Sequence, residues 1–333
     1  MSAVGAGEDL SQFREVRRIG ASDARRMRAA AYADGRISRA EAERIVAVNK
    51  AASRRCRQWT DFFVEAVTDH IVHQERPAGF ISEQNADWLI ATISRDGVVG
   101  TLSELELLVT ALEKAKSSPD RLVAFALKQV AIAVIEGKGP LAGVPGHLPN
   151  VVEKAEVDLL RRILHAFGGS GNIAITRGEA ELLLIINDCC VEEMNHPSWN
   201  DLFVKAMTNF VMCSSGYEAP TRSEALRRDD FFDRADADLG AFFARMVSGG
   251  ISGILEAYSS PAGIETEWEA RNLSREAATR RGTAIDHEEA EWLVGRMATD
   301  RLLRDNERAF LGFIRKSSPS IHPALKPLMD KVA

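Results

Sequence analysis

Three places in the chain carry side chains that could do chemistry. His70 and His73, flanked by Asp69 and Glu75 in DHIVHQE, stand at i and i+3 on one helix face. That spacing lets two imidazoles reach one transition-metal ion, although no third protein ligand is evident and a solvated helix end is the better reading of the pair. Asp34, Ser38 and Glu41 offer three oxygens in a short run, suited to a hard cation or to a helix cap. Arg14, Arg17, Arg18, Arg25, Arg26 and Arg28, with Arg54, Arg55 and Arg57 further on, form a basic stretch in which aromatic residues are sparse. No nucleophile elbow, phosphate-binding glycine loop, His-Glu-x-x-His helix or dinucleotide fingerprint occurs, so an active site would have to be assembled from distant residues.

The elements that must position these groups are helices. Apolar residues return every three or four positions in WTDFFVEAVTDHIV (59–72) and VEKAEVDLLRRILHAF (152–167), and convincing alternating strands are absent. Helix starts carry their own signature: an apolar residue, a Ser, Thr or Asp, two variable positions, then usually Glu. It occurs at Ser38 with Glu41, Ser103 with Glu106, Thr176 with Glu179 and Asp286 with Glu289, and in related form at Ser82 and Thr221. The first residue accepts a hydrogen bond from a free amide of the helix start, and the Glu reaches back to the cap's own N–H.

Those starts repeat. ISRAEAERIVAVN (37–49) matches ITRGEAELLLIIN (175–187), and WTDFFVEAVTDHIV matches WNDLFVKAMTNFVM (199–212), at offsets of 179 − 41 = 138 and 199 − 59 = 140. Pairing Ser38 with Thr176, Ser82 with Thr221 and Ser103 with Asp286 predicts two tandem halves, the second carrying an insertion of about 44 residues. The predicted fold is therefore all-α: capped helix-loop-helix units, duplicated. The predicted organisation is a flexible N-terminus (1–13), a first half (14–135), a Gly/Pro linker (136–150), a second half (151–320) with an insertion at about 227–282, and a C-terminal tail (321–333). Within the insertion, Leu239, Phe242, Phe243, Met246, Ile254, Leu255 and Tyr258 lack counterparts in the first half and are candidate interaction residues.

AYADGRISRAEAERI (31–45) resembles the Asp-Gly-x-Ile-x-x-x-Glu core of an EF-hand calcium loop. It is also similar to the Ala-Asp-Gly helix start of tellurite-resistance (TerB-like) helical domains, which are bacterial and bind metal in some members. The resemblance implies helix-loop-helix architecture and a divalent metal, calcium first, at Asp34, Ser38 and Glu41. Ala30 and Tyr32 stand where the first carboxylates of a calcium loop belong, and Gly168 and Ile173 depart from the pattern in the second copy. Capping boxes account for Glu41 and Glu179 without an ion.

Composition limits the remaining choices. The chain has 333 residues, 45% of them hydrophobic and 27% charged, within the ordinary globular range. No apolar run approaches a membrane span, and the N-terminus lacks a secretory pattern, so a cytoplasmic location is expected. The four cysteines lack a framework spacing, and burial of Cys189 and Cys190 is expected. The net charge is −6 although residues 1–57 hold 13 Lys/Arg against 7 Asp/Glu, which argues against a dedicated nucleic-acid protein. The expected function is a non-catalytic interaction or scaffold protein with an unknown protein partner, and a homo-oligomer is compatible with it. The alternative is an EF-hand-like or TerB-like metal-binding module, and the third an enzyme.

Overall fold

A computed structural model describes residues 17–166, 175–212, 285, 287–297, 302–318 and 320–332. The candidate interaction residues Leu239, Phe242, Phe243, Met246, Ile254, Leu255 and Tyr258 lie outside the described residues, as do the expected caps Thr221 and Asp286. The described chain is helical almost throughout, which makes it all-α. Its helices are α1 (Ala21–Ala31), α2 (Arg39–Ala51), α3 (Arg57–Thr68), α4 (Glu83–Ile93), α5 (Leu102–Lys114), α6 (Asp120–Ala131), α7 (Gly139–Ala142), α8 (Lys154–Leu164), α9 (Arg177–Cys189), α10 (Ser198–Met212), α11 (His287–Met297), α12 (Asp305–Ser317) and α13 (Lys326–Met329). None is long and apolar enough to cross a membrane.

Local chemistry places the starts. Ser38 and Thr176 each accept from the amide three residues on, and Glu41 and Glu179 return a carboxylate oxygen to the cap amide at 2.8 and 2.7 Å. Ser82 caps α4 by accepting from the Asn85 amide. The cap of α5, however, is Thr101 and not Ser103: Thr101 Oγ1 accepts from the Glu104 amide, and Ser103 is buried inside the first turn. TLSELE contains two overlapping Ser/Thr-x-x-Glu frames, and tertiary contacts choose between them. Ser103 Oγ donates to Asn49 Oδ1, and Glu106 is held by Arg162. Between α4 and α5, Asp96 and Gly97 both take positive φ and turn a two-residue hairpin, Ser94–Arg95 against Val98–Val99.

The chain forms two compact units, Met1–Phe203 and Val204–Ala333. In the first, α5 is central, packing on α3, α4, α6 and α8, while α6 also packs on α8 and α9. Trp59, Phe62, Phe63, Leu107 and Leu108 are fully buried at its centre, with Trp59 edge-on to Phe62 at 5.6 Å. Residues 136–150 lie within this unit. Helices α3 and α6 each run on into a π turn, Asp69–His73 and Ile132–Glu136. In the second unit, Leu293, Met297, Phe310, Leu311, Ile314, Leu325 and Leu328 are buried, and Phe210 lies edge-on to Trp292 at 4.9 Å.

One polar arrangement occurs twice. The indole of Trp59 donates to buried Asn49 Oδ1 at 3.0 Å, and that of Trp199 to buried Asn187 Oδ1 at 3.3 Å. A buried indole N–H needs an acceptor, and the Asn at the end of the preceding helix supplies it in both places. Cys190 is buried as expected, whereas Cys189 is exposed.

Candidate functional site

Asp34, Ser38 and Glu41 are used locally. Asp34 Oδ1 accepts from the Arg36 amide, closing a turn, and Glu41 Oε2 accepts from both the amide and the hydroxyl of Ser38. His70 and His73 stand in different surroundings. His70 is buried, with Nδ1 2.9 Å from the Ile37 carbonyl and its ring edge-on to Trp88 at 6.0 Å. His73 instead lines a separate groove with Asp69, Glu65, Glu106 and Lys114. Tyr32 donates its hydroxyl to Asp69 at 2.6 Å, and burial together with that acceptor pushes the hydroxyl well above its ordinary value.

The residues that do converge were not singled out in the sequence. The strap from Gly137 to Asn150 follows the π turn of α6. Gly137 ends that turn with φ 61°, and Gly146 precedes His147 with φ 93°, conformations open to glycine at little cost. His147 then points inward. Its Nε2 lies 3.0 Å from the Ala133 carbonyl and its Nδ1 3.3 Å from Glu156 Oε1, with only 4% and 2% of the two side chains exposed. Glu153 joins them, and one ligand atom from each of the three residues lies within 4.8 Å of the others. Glu153 is the N-cap residue of α8 and Glu156 its third residue, yet the Glu153 side chain makes no capping bond. His147 Nδ1 and Glu156 Oε2, both buried, have no hydrogen-bond partner.

Above this cluster the strap is joined to the turn after α9. The Val191 amide donates to the Asn150 carbonyl at 2.7 Å, the Val152 amide to Asn195 Oδ1 at 2.8 Å, and the His196 amide to the Val152 carbonyl at 2.8 Å. These adjoining segments carry Val144, Leu148, Val191 and Met194, exposed by 39, 45, 44 and 54%. They are half of the eight large exposed hydrophobic residues among those described, and they lie on two segments whose ends are joined by hydrogen bonds. Sequence periodicity could not mark them, because they sit in loops. Compared with protein-family models, with curated proteins and with solved structures, the chain matches none.

Proposed function

We propose that this chain is a non-catalytic, cytoplasmic interaction or scaffold protein, built from two copies of one helical unit, that binds a protein partner through the apolar surface of the strap and the 191–196 turn. The observation that carries the reading is that exposed Val144, Leu148, Val191 and Met194 lie on two segments joined by hydrogen bonds. Exposed aliphatic side chains grouped in this way lose free energy to water that a partner's apolar side chains would recover.

Repeated contacts support the duplication, in a register different from the pairing of Ser82 with Thr221 and Ser103 with Asp286. The Trp59–Asn49 bond has its counterpart in Trp199–Asn187. His70 edge-on to Trp88 is answered by Phe210 edge-on to Trp292. The Ile81 amide donates to the Ser117 carbonyl, and the Ile285 amide to that of Ser320. Buried Glu104 follows the Thr101 cap as buried Glu307 follows Arg304. In this register α4 corresponds to α11 and α5 to α12. The offset of 292 − 88 = 204 against 210 − 70 = 140 then makes the insertion 64 residues long, lying between Met212 and Ile285.

The test is affinity capture with the full chain as bait. Leu148→Glu with Met194→Glu should lose a partner that the wild-type protein retains, while the far-ultraviolet circular dichroism stays the same. Deletion of residues 230–270 separates this surface from the insertion. Loss of the partner on that deletion alone, with both Glu substitutions harmless, would move the interaction to the insertion and sink the proposal.

A further inference from the structure

We infer that His147, Glu153 and Glu156 form a binding site for one divalent cation of the zinc class, clamping the strap onto the first turn of α8. The tautomer comes first. Nε2 faces a backbone carbonyl, which can only accept, so Nε2 carries the hydrogen and the Nδ1 lone pair faces the glutamates. A neutral imidazole then sets a lone pair 3.3 Å from a carboxylate oxygen, two acceptors opposed with no donor between them. Burial deprives both groups of water, so a proton or a cation has to lie between them.

Two species could fill that place, and geometry favours the cation. A proton between them, carried by Nδ1 or by Glu156 Oε1, would need a hydrogen bond directed along the Nδ1–Oε1 line, and Nδ1 makes none. It would also leave buried Glu156 Oε2 unpartnered. Two atoms each about 2.0–2.1 Å from a tetrahedral ion stand roughly 3.3 Å apart, which is the spacing found. A histidine that binds metal through one nitrogen and donates the other N–H to a backbone carbonyl is the usual outer-shell arrangement of such sites, and the Ala133 carbonyl supplies it. Three protein ligands leave a fourth position for water. One nitrogen and two carboxylates suit zinc, cobalt or nickel, whereas calcium needs six to eight oxygens.

The proposal is independent of the apolar surface. It is tested on the chelator-stripped full chain titrated with cobalt(II), then zinc(II). One equivalent of cobalt should give visible d–d absorption that zinc displaces, and zinc should raise the melting temperature, since a ligand bound by the native state stabilises it. His147→Ala and Glu156→Gln should each weaken binding by at least about tenfold, and Glu153→Gln by less. A readout on the wild-type protein keeps the test independent of whether the variants fold: nitrogen-15 histidine spectra should show one Nδ1 resonance moving with the first equivalent of zinc. Equal cobalt binding by wild type and both His147 and Glu156 variants would place the ion elsewhere, at His70 or His73 for example, and overturn the assignment. A wild-type spectrum with Nδ1 of His147 protonated and unmoved by zinc would do the same.

Discussion

Asn49 joins three elements of the first unit through one buried side-chain oxygen. Its Oδ1 accepts from the Trp59 indole, the Arg55 guanidinium and the Ser103 hydroxyl, tying together the end of α2, the start of α3 and the start of α5. Replacing it with Leu would leave the buried Trp59 indole without an acceptor, at about 1–3 kcal/mol, and remove the bond from Ser103, whose hydroxyl keeps Thr101 Oγ1 as a partner, at about 1 kcal/mol. Asn49→Leu should therefore lower the urea stability by about 2–4 kcal/mol, and a loss below about 0.5 kcal/mol would show that the network is dispensable. Glu104 is a second revealing residue. Burial pushes its carboxyl above the ordinary 4.5, and the hydrogen bonds from Thr101 with the charges of Lys50 and Arg55 only partly oppose that. The folded state then holds the proton more tightly than the unfolded chain. Stability from this group is complete below the ordinary value and declines as pH rises through the folded one. Melting temperatures measured between about pH 4 and pH 8 should show that decline in the wild-type protein, and a smaller decline in Glu104→Gln. Parallel curves for the two proteins would be evidence against it.

At the scale of elements, α8 is clamped to α5 by one guanidinium. Arg162 donates through Nη1 and Nη2 to the two oxygens of Glu106, and through Nε and Nη2 to those of Glu113, all at 2.8 Å. Burial alone would raise the Glu106 carboxyl, but the hydrogen bonds and charge of Arg162 outweigh it and hold the group below 4.5. The clamp's contribution is thus present above the ordinary carboxylate value and disappears as pH falls through the lower, folded one. About a third of each partner's side chain or more faces solvent, which screens the pairs. A double-mutant cycle of Arg162→Ala with Glu106→Gln should give a coupling of about 1 kcal/mol near neutral pH, vanishing at strongly acid pH. A coupling that persists unchanged in acid would show that packing, not charge, joins the helices.

For the molecule as a whole, each compact unit has its own buried cluster: Trp59, Phe62 and Phe63 in one, Phe310, Leu311 and Ile314 in the other. Separate cores predict that calorimetric unfolding of the full chain departs from a single two-state transition. Equal calorimetric and van't Hoff enthalpies in one sharp peak would mean instead that the chain unfolds as one cooperative body. The residues also divide by how far apart their partners lie. Helical class, the caps at Ser38, Ser82 and Thr176, and the buried faces of α3 and α10 follow from the sequence alone, because those interactions span three or four residues and obey the helical repeat. Choosing Thr101 over Ser103 required Asn49 and Arg162, each more than fifty residues from its partner on α5. The candidate metal cluster was hidden by conformation and not by separation, since His147, Glu153 and Glu156 lie within ten residues of one another. His147 stands in a glycine-rich stretch that reads as a linker, and only the left-handed turns of that strap and the packing of α6 on α8 bring its imidazole against Glu156.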